Sequence, residues 1–228
     1  MREVAQDWDG KGLVHEWFAV PGAGTAILLC PTVMGVSDLE RGFARDLNGK
    51  GHSVLVADLY GARFNPDQRA DARAAMGALR GDRAGLRDLL LAVLDTLRPL
   101  AGEAKIVAIG FCFGGQCVLD LARSGTDIAG VASFHGLLDS PGLEPRPIAA
   151  RVIAFHGWDD PLATPDSVVA LGEELKVAGC DWQLHGFGGV GHAFTNPGAT
   201  GAMAGIKYDE AAARRSWASL DQFLGEIA

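Results

Sequence analysis

No apolar run in this 228-residue chain approaches the roughly 20 residues that a membrane-spanning helix needs. The longest, TAILLC (25–30) and DLLLAVLDTL (88–97), fall far short of it. The N-terminal MREVAQDWDG lacks the basic-then-apolar pattern of a leader, so the expected location is cytoplasmic with no membrane partner. There is no cluster of lysine or arginine, and 20 basic against 28 acidic residues leave a net charge of -8, which excludes the concentrated basic surface that nucleic acid requires. The four cysteines, Cys30, Cys112, Cys117 and Cys180, form no C-x-x-C pair and join no His/Cys ladder. A zinc site and a disulfide framework are thereby excluded, and free thiols in a reducing compartment are expected. No internal repeat, low-complexity tract or interdomain linker interrupts the chain, and its length suits one domain over residues 1–228.

What is present is a succession of short apolar, β-branched runs: AILLC (26–30), SVLVADL (53–59), KIVAIG (105–110), GVASFHG (130–136), RVIAFHG (151–157) and WQLHGF (182–187). Each reads as a strand. Helical spacing occurs between them, over about 38–50, in one long segment from about 70 to 98, over 115–124 and 165–178, and in a closing segment from about 208 to 227. Strands without polar alternation, separated by helices, predict a mostly parallel, doubly wound sheet covered on both faces, a three-layer α/β sandwich. TNPGATGAMAGIK (195–207) reads as a long mobile loop.

In such a sheet ligands bind beyond the carboxyl ends of the strands. KIVAI ends there in Gly110-Phe111-Cys112-Phe113-Gly114-Gly115, the G-x-C-x-G-G form of a nucleophile elbow with cysteine in place of serine. Glycines two before and two after the nucleophile remove side chains that would collide in so sharp a turn, and the following helix N-terminus favours a thiolate. The plain alternative is a cysteine buried beside packing glycines. Cys117, inside the helix, reads as core. No lysine or Ser/Thr follows Gly115, so this is not a phosphate loop. A nucleophile needs a base and a group that orients the base. Asp160, in His156-Gly157-Trp158-Asp159-Asp160-Pro161, and His192, in Gly191-His192-Ala193-Phe194, follow Cys112 in the order nucleophile, acid, histidine. Asp160 is favoured over Asp159 because the proline after it fixes the turn. His15, His52, His135, His156 and His185 read as core or surface residues.

These motifs resemble the dienelactone hydrolase family of α/β-hydrolases over about residues 12–226. Besides GFCFGG, HGWDDP and GHAF, the resemblance includes CPTVMGVSD (30–38), VLVADLYG (54–61) and YDEAAARRSWASLDQFL (208–224). It implies an α/β-hydrolase fold with Cys112 as nucleophile, His192 as base, Asp160 as acid, and the amides of Val33 and Phe113 as the oxyanion hole. Two substrate-binding positions depart from the well-studied branch of the family. Thr32 stands where that branch has a glutamate touching the nucleophile, and Asn196 where it has an arginine that holds a substrate carboxylate. Arg63 or Arg69 is left as a source of a cation by another route.

The expected function is hydrolysis of a small-molecule ester or lactone, a dienelactone-type enol lactone or a related carboxylic ester, by a carboxymethylenebutenolidase-like enzyme. No metal and no organic cofactor are implied, and a monomer or small homo-oligomer is expected. The alternatives are a general short-chain carboxylesterase and a non-catalytic ligand-binding or thiol-sensing protein on the same scaffold.

Overall fold

Runs with no polar alternation end up in the middle of a sheet, because residues there are buried on both faces. In the computed structural model, which describes residues 1–227, β3 (Thr25–Cys30), β4 (Ser53–Val56), β5 (Lys105–Phe111), β6 (Gly130–Phe134), β7 (Arg151–Gly157) and β8 (Trp182–Phe187) pair in parallel. β1 (Arg2–Trp8) and β2 (Lys11–Phe18) add an antiparallel hairpin at one edge, and the order is β1-β2-β4-β3-β5-β6-β7-β8. Adjacent residues of β3 serve opposite layers. Leu28 belongs to the core layer that also holds residues of α3 (Arg83–Ala101), α4 (Phe113–Arg123) and α5 (Pro165–Ala178), while Ile27 and Leu29 belong to the layer that holds residues of α1 (Asp38–Gly49) and α6 (Glu210–Ile227).

From β3 the chain runs out to β4 on one side and returns to β5 on the other. The carboxyl ends of β3 and β5 therefore flank the point where the winding reverses, the crevice in which doubly wound sheets hold ligands. The loop carrying Thr32 and Val33 follows β3, and Cys112 follows β5.

Three elements differ from the sequence expectation. The hairpin β1–β2 was not foreseen, because its strands alternate polar and apolar residues. Its two-residue turn is Asp9-Gly10, both at positive φ (50° and 73°), a strong hairpin signal. The single long helix is two, α2 (Arg69–Gly81) and α3, preceded by a short 3-10 turn at Pro66–Gln68. Asp82 breaks it by leaving helical geometry and capping α3, its carboxylate accepting from the Gly85 N–H at 2.9 Å. The loop 195–207 contains a small antiparallel pair, β9 (Thr200–Met203) and β10 (Ile206–Lys207). No helix among the described residues is long and apolar enough to cross a membrane.

Candidate active site

Cys112 sits between β5 and α4 at φ 56°, ψ −115°, a conformation costly for a residue with a side chain. The surrounding glycines make the turn possible. A Cβ at Gly110 would lie 1.9 Å from the Gly114 carbonyl oxygen, and one at Gly114 would lie 2.1 Å from the Cys30 carbonyl oxygen. The Cys112 N–H donates to the Phe134 carbonyl at 3.0 Å and to His135 Nδ1 at 3.2 Å, which ties the elbow to the end of β6. All four cysteines are free thiols, and Cys112 is partly exposed whereas Cys117 is buried.

Asp160 and His192 come together beyond β7 and β8. His192 Nδ1 lies 2.7 Å from Asp160 Oδ2, with both residues 2% exposed. The other carboxylate oxygen, Oδ1, accepts from the Leu162 N–H at 2.8 Å, so the acid is held on two sides. Asp159 is exposed and takes no part in this contact. The β9–β10 pair holds the histidine backbone: the His192 N–H donates to the Gly205 carbonyl at 2.7 Å, and the Lys207 N–H donates to the His192 carbonyl at 3.0 Å.

His192 Nε2 is buried and makes no hydrogen bond of ordinary geometry. The imidazole therefore acts on Cys112 chiefly through charge. Burial by itself would push the Cys112 thiol up; the charge on His192 and the backbone amides of Phe113 and Val33 outweigh it, and the thiol lies below its ordinary value. Burial would likewise lower His192, but the Cys112 thiolate and the Asp160 hydrogen bond raise it to about 10. The pair thus favours thiolate and imidazolium, and the Phe113 and Val33 amides, which the family resemblance put forward, contribute to the lowering.

The loop before α1 is fixed from several directions. Tyr60 Oη donates to the Val33 carbonyl at 3.2 Å, and the Tyr60 and Phe113 rings are nearly parallel at 6.3 Å. Thr32 borders Val33, but its hydroxyl donates to Glu40 Oε1 at 2.8 Å. Asn196 closes its own turn, its Oδ1 accepting from the Gly198 N–H at 2.8 Å. Arg63 pairs with buried Asp58 at 2.8 Å, which leaves it no free charge for a substrate, while Arg69 is exposed at the start of α2.

Two participants were missed in the sequence. His135, at φ 38° and 1% exposed, accepts from the Cys112 N–H through Nδ1, so its proton is on Nε2, which reaches Thr195 Oγ1 at 2.8 Å. Its ring stands edge-on to His192 with centroids 5.0 Å apart. Burial and the neighbouring His192 hold it neutral by lowering it well below the usual histidine value. Its position directly after a core strand was the available signal. Glu40, fully buried, was the other, and Ser37-Asp38-Leu39-Glu40 has the S-x-x-E form of a capping box.

A cavity of about 710 Å³ lies elsewhere, lined in part by Arg123, Leu138, Pro147, Leu171 and Glu174. It adjoins the C-terminal end of α4, an 11-residue helix and so about 16 Å long, whereas Cys112 is at the N-terminal end. Its Arg123 is already paired with Asp120 and Glu174. Among the described residues no three His, Cys, Asp or Glu side chains gather to hold a metal ion.

The sequence profile of the dienelactone hydrolase family matches residues 17–228. A solved structure named m3DLH is 34% identical with a TM-score of 0.87, covering 99% of this chain and 97% of its own. A dienelactone hydrolase-like promiscuous phosphotriesterase from metagenomic libraries is 30% identical, with the same TM-score and the same coverage. The carboxymethylenebutenolidase of Rhodococcus opacus is 23% identical over 184 residues, 76% of this chain and 71% of that protein.

Proposed function

Since the chain belongs to the dienelactone hydrolase family, we propose that it hydrolyses small carboxylic esters or lactones with Cys112 as nucleophile, His192 as acid and base, and Asp160 as the group that orients the imidazole. The observation that carries this reading is the place of Cys112 at a strained strand-to-helix elbow, its thiol lowered by the charge of a His192 imidazole that a buried carboxylate holds at 2.7 Å.

In the first half-reaction the Cys112 thiolate attacks the carbonyl carbon. A C–S bond forms, and the carbonyl π pair moves to oxygen, where the Val33 and Phe113 amides hold the charge. As the carbonyl re-forms, the bond to the leaving alkoxide breaks and His192 Nε2 gives up its proton to that oxygen. In a lactone the new alcohol stays tethered. Neutral His192 then takes a proton from water as the water attacks the thioester. The C–S bond breaks, the acid leaves, and the thiolate–imidazolium pair is restored. Asp160 keeps the proton on Nδ1 throughout, so that Nε2 always faces the reacting atoms.

The test is turnover of p-nitrophenyl acetate and of a panel of simple and carboxylate-bearing lactones, with Cys112→Ala as the blank. Sustained Cys112-dependent release supports a hydrolase, whereas a single stoichiometric burst means a reactive thiol that cannot deacylate. A second reading, phosphotriester hydrolysis through an S–P bond, is favoured by the name of the 30% identical structure. Adding paraoxon to the panel tests it.

A further inference from the structure

We propose that Glu40 is a positioning residue for carbonyl chemistry at Cys112: its buried carboxylate holds Thr32, and through it the peptide whose N–H faces the nucleophile. This rests on the reading of the site as an acyl-transfer centre.

Glu40 is 0% exposed and four donors surround its carboxylate. Oε2 accepts from the Ser37 N–H at 3.2 Å and from the Ser37 hydroxyl. Oε1 accepts from the Thr32 N–H at 3.0 Å and from the Thr32 hydroxyl at 2.8 Å. The first pair belongs to the helix cap. The second does not, since Thr32 lies outside the capping box and a cap needs only the Ser37 contacts. A carboxylate buried among neutral donors, with no cation in contact, costs more than an exposed one, so helix capping alone leaves its inward turn unexplained.

The consequence falls on one peptide. The Thr32–Val33 peptide follows Cys30 and Pro31, whose carbonyl oxygens close on Gly114 two residues past Cys112, and its Val33 N–H is among the donors that lower the Cys112 thiol. Its oxygen end is closed by the Gly35 N–H, which donates to the Thr32 carbonyl at 3.0 Å in a turn where Gly35 has φ 71°. Glu40 fixes the residue before that peptide, and the Tyr60 hydroxyl fixes the carbonyl after it at 3.2 Å. With the N–H direction set on both sides, the donor is in place before charge develops on a substrate oxygen, which is how a preorganised hole acts. Without Glu40 the Thr32 end is free, and the donor must be oriented during the reaction.

The test uses Glu40→Gln and Thr32→Val with three readouts. Glutamine offers one acceptor oxygen where the carboxylate offers two, so one donor pair loses its partner. Thr32→Val removes only the hydroxyl contact and leaves the cap intact. For Glu40→Gln, kcat on p-nitrophenyl acetate is expected to fall about tenfold or more with KM little changed, short of the ~10²–10³ for outright loss of a donor. An aldehyde inhibitor, which adds Sγ to its carbonyl carbon and places an oxyanion on the same amides, is expected to bind more weakly by the same factor. Iodoacetamide alkylation forms an S–C bond and expels iodide without any oxyanion; measured at a pH where Cys112 is fully ionised in both proteins, so that the Val33 amide's effect on the thiol drops out, it is expected to stay within about twofold. Thr32→Val is expected to shift the first two readouts in the same direction by less, with its thermal midpoint near wild type.

A folded Glu40→Gln with wild-type kcat and aldehyde affinity overturns the proposal, and so does alkylation falling in step with turnover, which marks a general disturbance of the site. If Glu40→Gln does not fold, wild-type kcat and aldehyde affinity in Thr32→Val overturn it. If the wild-type protein shows no Cys112-dependent turnover, the hydrolase reading fails instead, and the aldehyde affinities alone decide the role of Glu40.

Discussion

The pH dependence of Cys112 alkylation follows directly from the charges around it. His192 is raised to about 10 and the thiol is lowered, so between the lowered thiol value and about pH 10 the dominant state is thiolate beside imidazolium. An ordinary thiol, with a pKa near 8.5, is only ~1% thiolate at pH 6.5, and its alkylation by iodoacetamide rises about fiftyfold by pH 8.5. For Cys112 the expected rise over that interval is clearly smaller than for an ordinary thiol, because a lowered thiol is ionised over more of it. A shallower pH dependence is the signature rather than absolute speed, since a thiolate stabilised by charge is intrinsically less nucleophilic. The assay is iodoacetamide consumption under pseudo-first-order conditions with the Cys112 peptide quantified by mass spectrometry, which excludes signal from partly exposed Cys180. Asp160→Asn removes a hydrogen bond that supports the imidazolium, so the thiol rises and a pH-dependent limb should enter the same interval. A wild-type rate that climbs with an apparent pKa near the free-thiol value would refute the resting ion pair, leaving His192 to act as a base only when substrate is bound.

In turnover, Asp160→Asn is expected to lower kcat by ~10²–10⁴ and exposed Asp159→Asn by less than about twofold; the reverse ranking in steady-state kinetics would move the acid to Asp159. Gly114→Ala places a Cβ 2.1 Å from the Cys30 carbonyl oxygen, and the backbone there cannot move aside as a side chain can. Its urea midpoint should fall by the equivalent of about 3 kcal/mol or more, the upper end for overpacking, and an unchanged midpoint would mean that the elbow relaxes freely. Cys117→Ala, buried within α4, should cost about 1 kcal/mol in the same denaturation assay and leave ester turnover within about twofold. A larger loss of turnover would give Cys117 a part that its place in the core does not explain.

The central sheet was legible because β3, β5, β6 and β7 are buried on both faces and so appear as uninterrupted apolar runs. The β1–β2 hairpin was not, because an edge strand half exposed to water alternates, and its Asp9-Gly10 turn carries more information than its composition. Asp82 shows the limit of periodicity: the apolar stripe continues across it while one residue with a capping carboxylate redirects the backbone. At the site, Cys112, Asp160 and His192 announce themselves through glycine spacing and chain order. The choice of Asp160 over Asp159 rested on a proline; in the structure Asp160 is buried against His192 and Asp159 is exposed. His135 and Glu40 are harder to read from sequence, since their roles depend on contacts with residues distant in the chain or in neighbouring loops. A histidine that accepts from the Cys112 N–H, and a glutamate whose second oxygen turns toward Thr32, are facts of packing.

The most direct test of Cys112 as nucleophile is capture of the covalent intermediate. Wild-type protein is mixed with p-nitrophenyl acetate, quenched in acid during the pre-steady state and again at steady state, and mapped by peptide mass spectrometry. The expected result is an acetyl thioester on the peptide containing Cys112, formed at least as fast as turnover and decaying at a rate no slower than kcat, with Cys112→Ala showing neither adduct nor turnover. Sustained turnover in Cys112→Ala, or an acetyl group on a different residue in the turning-over enzyme, would contradict it.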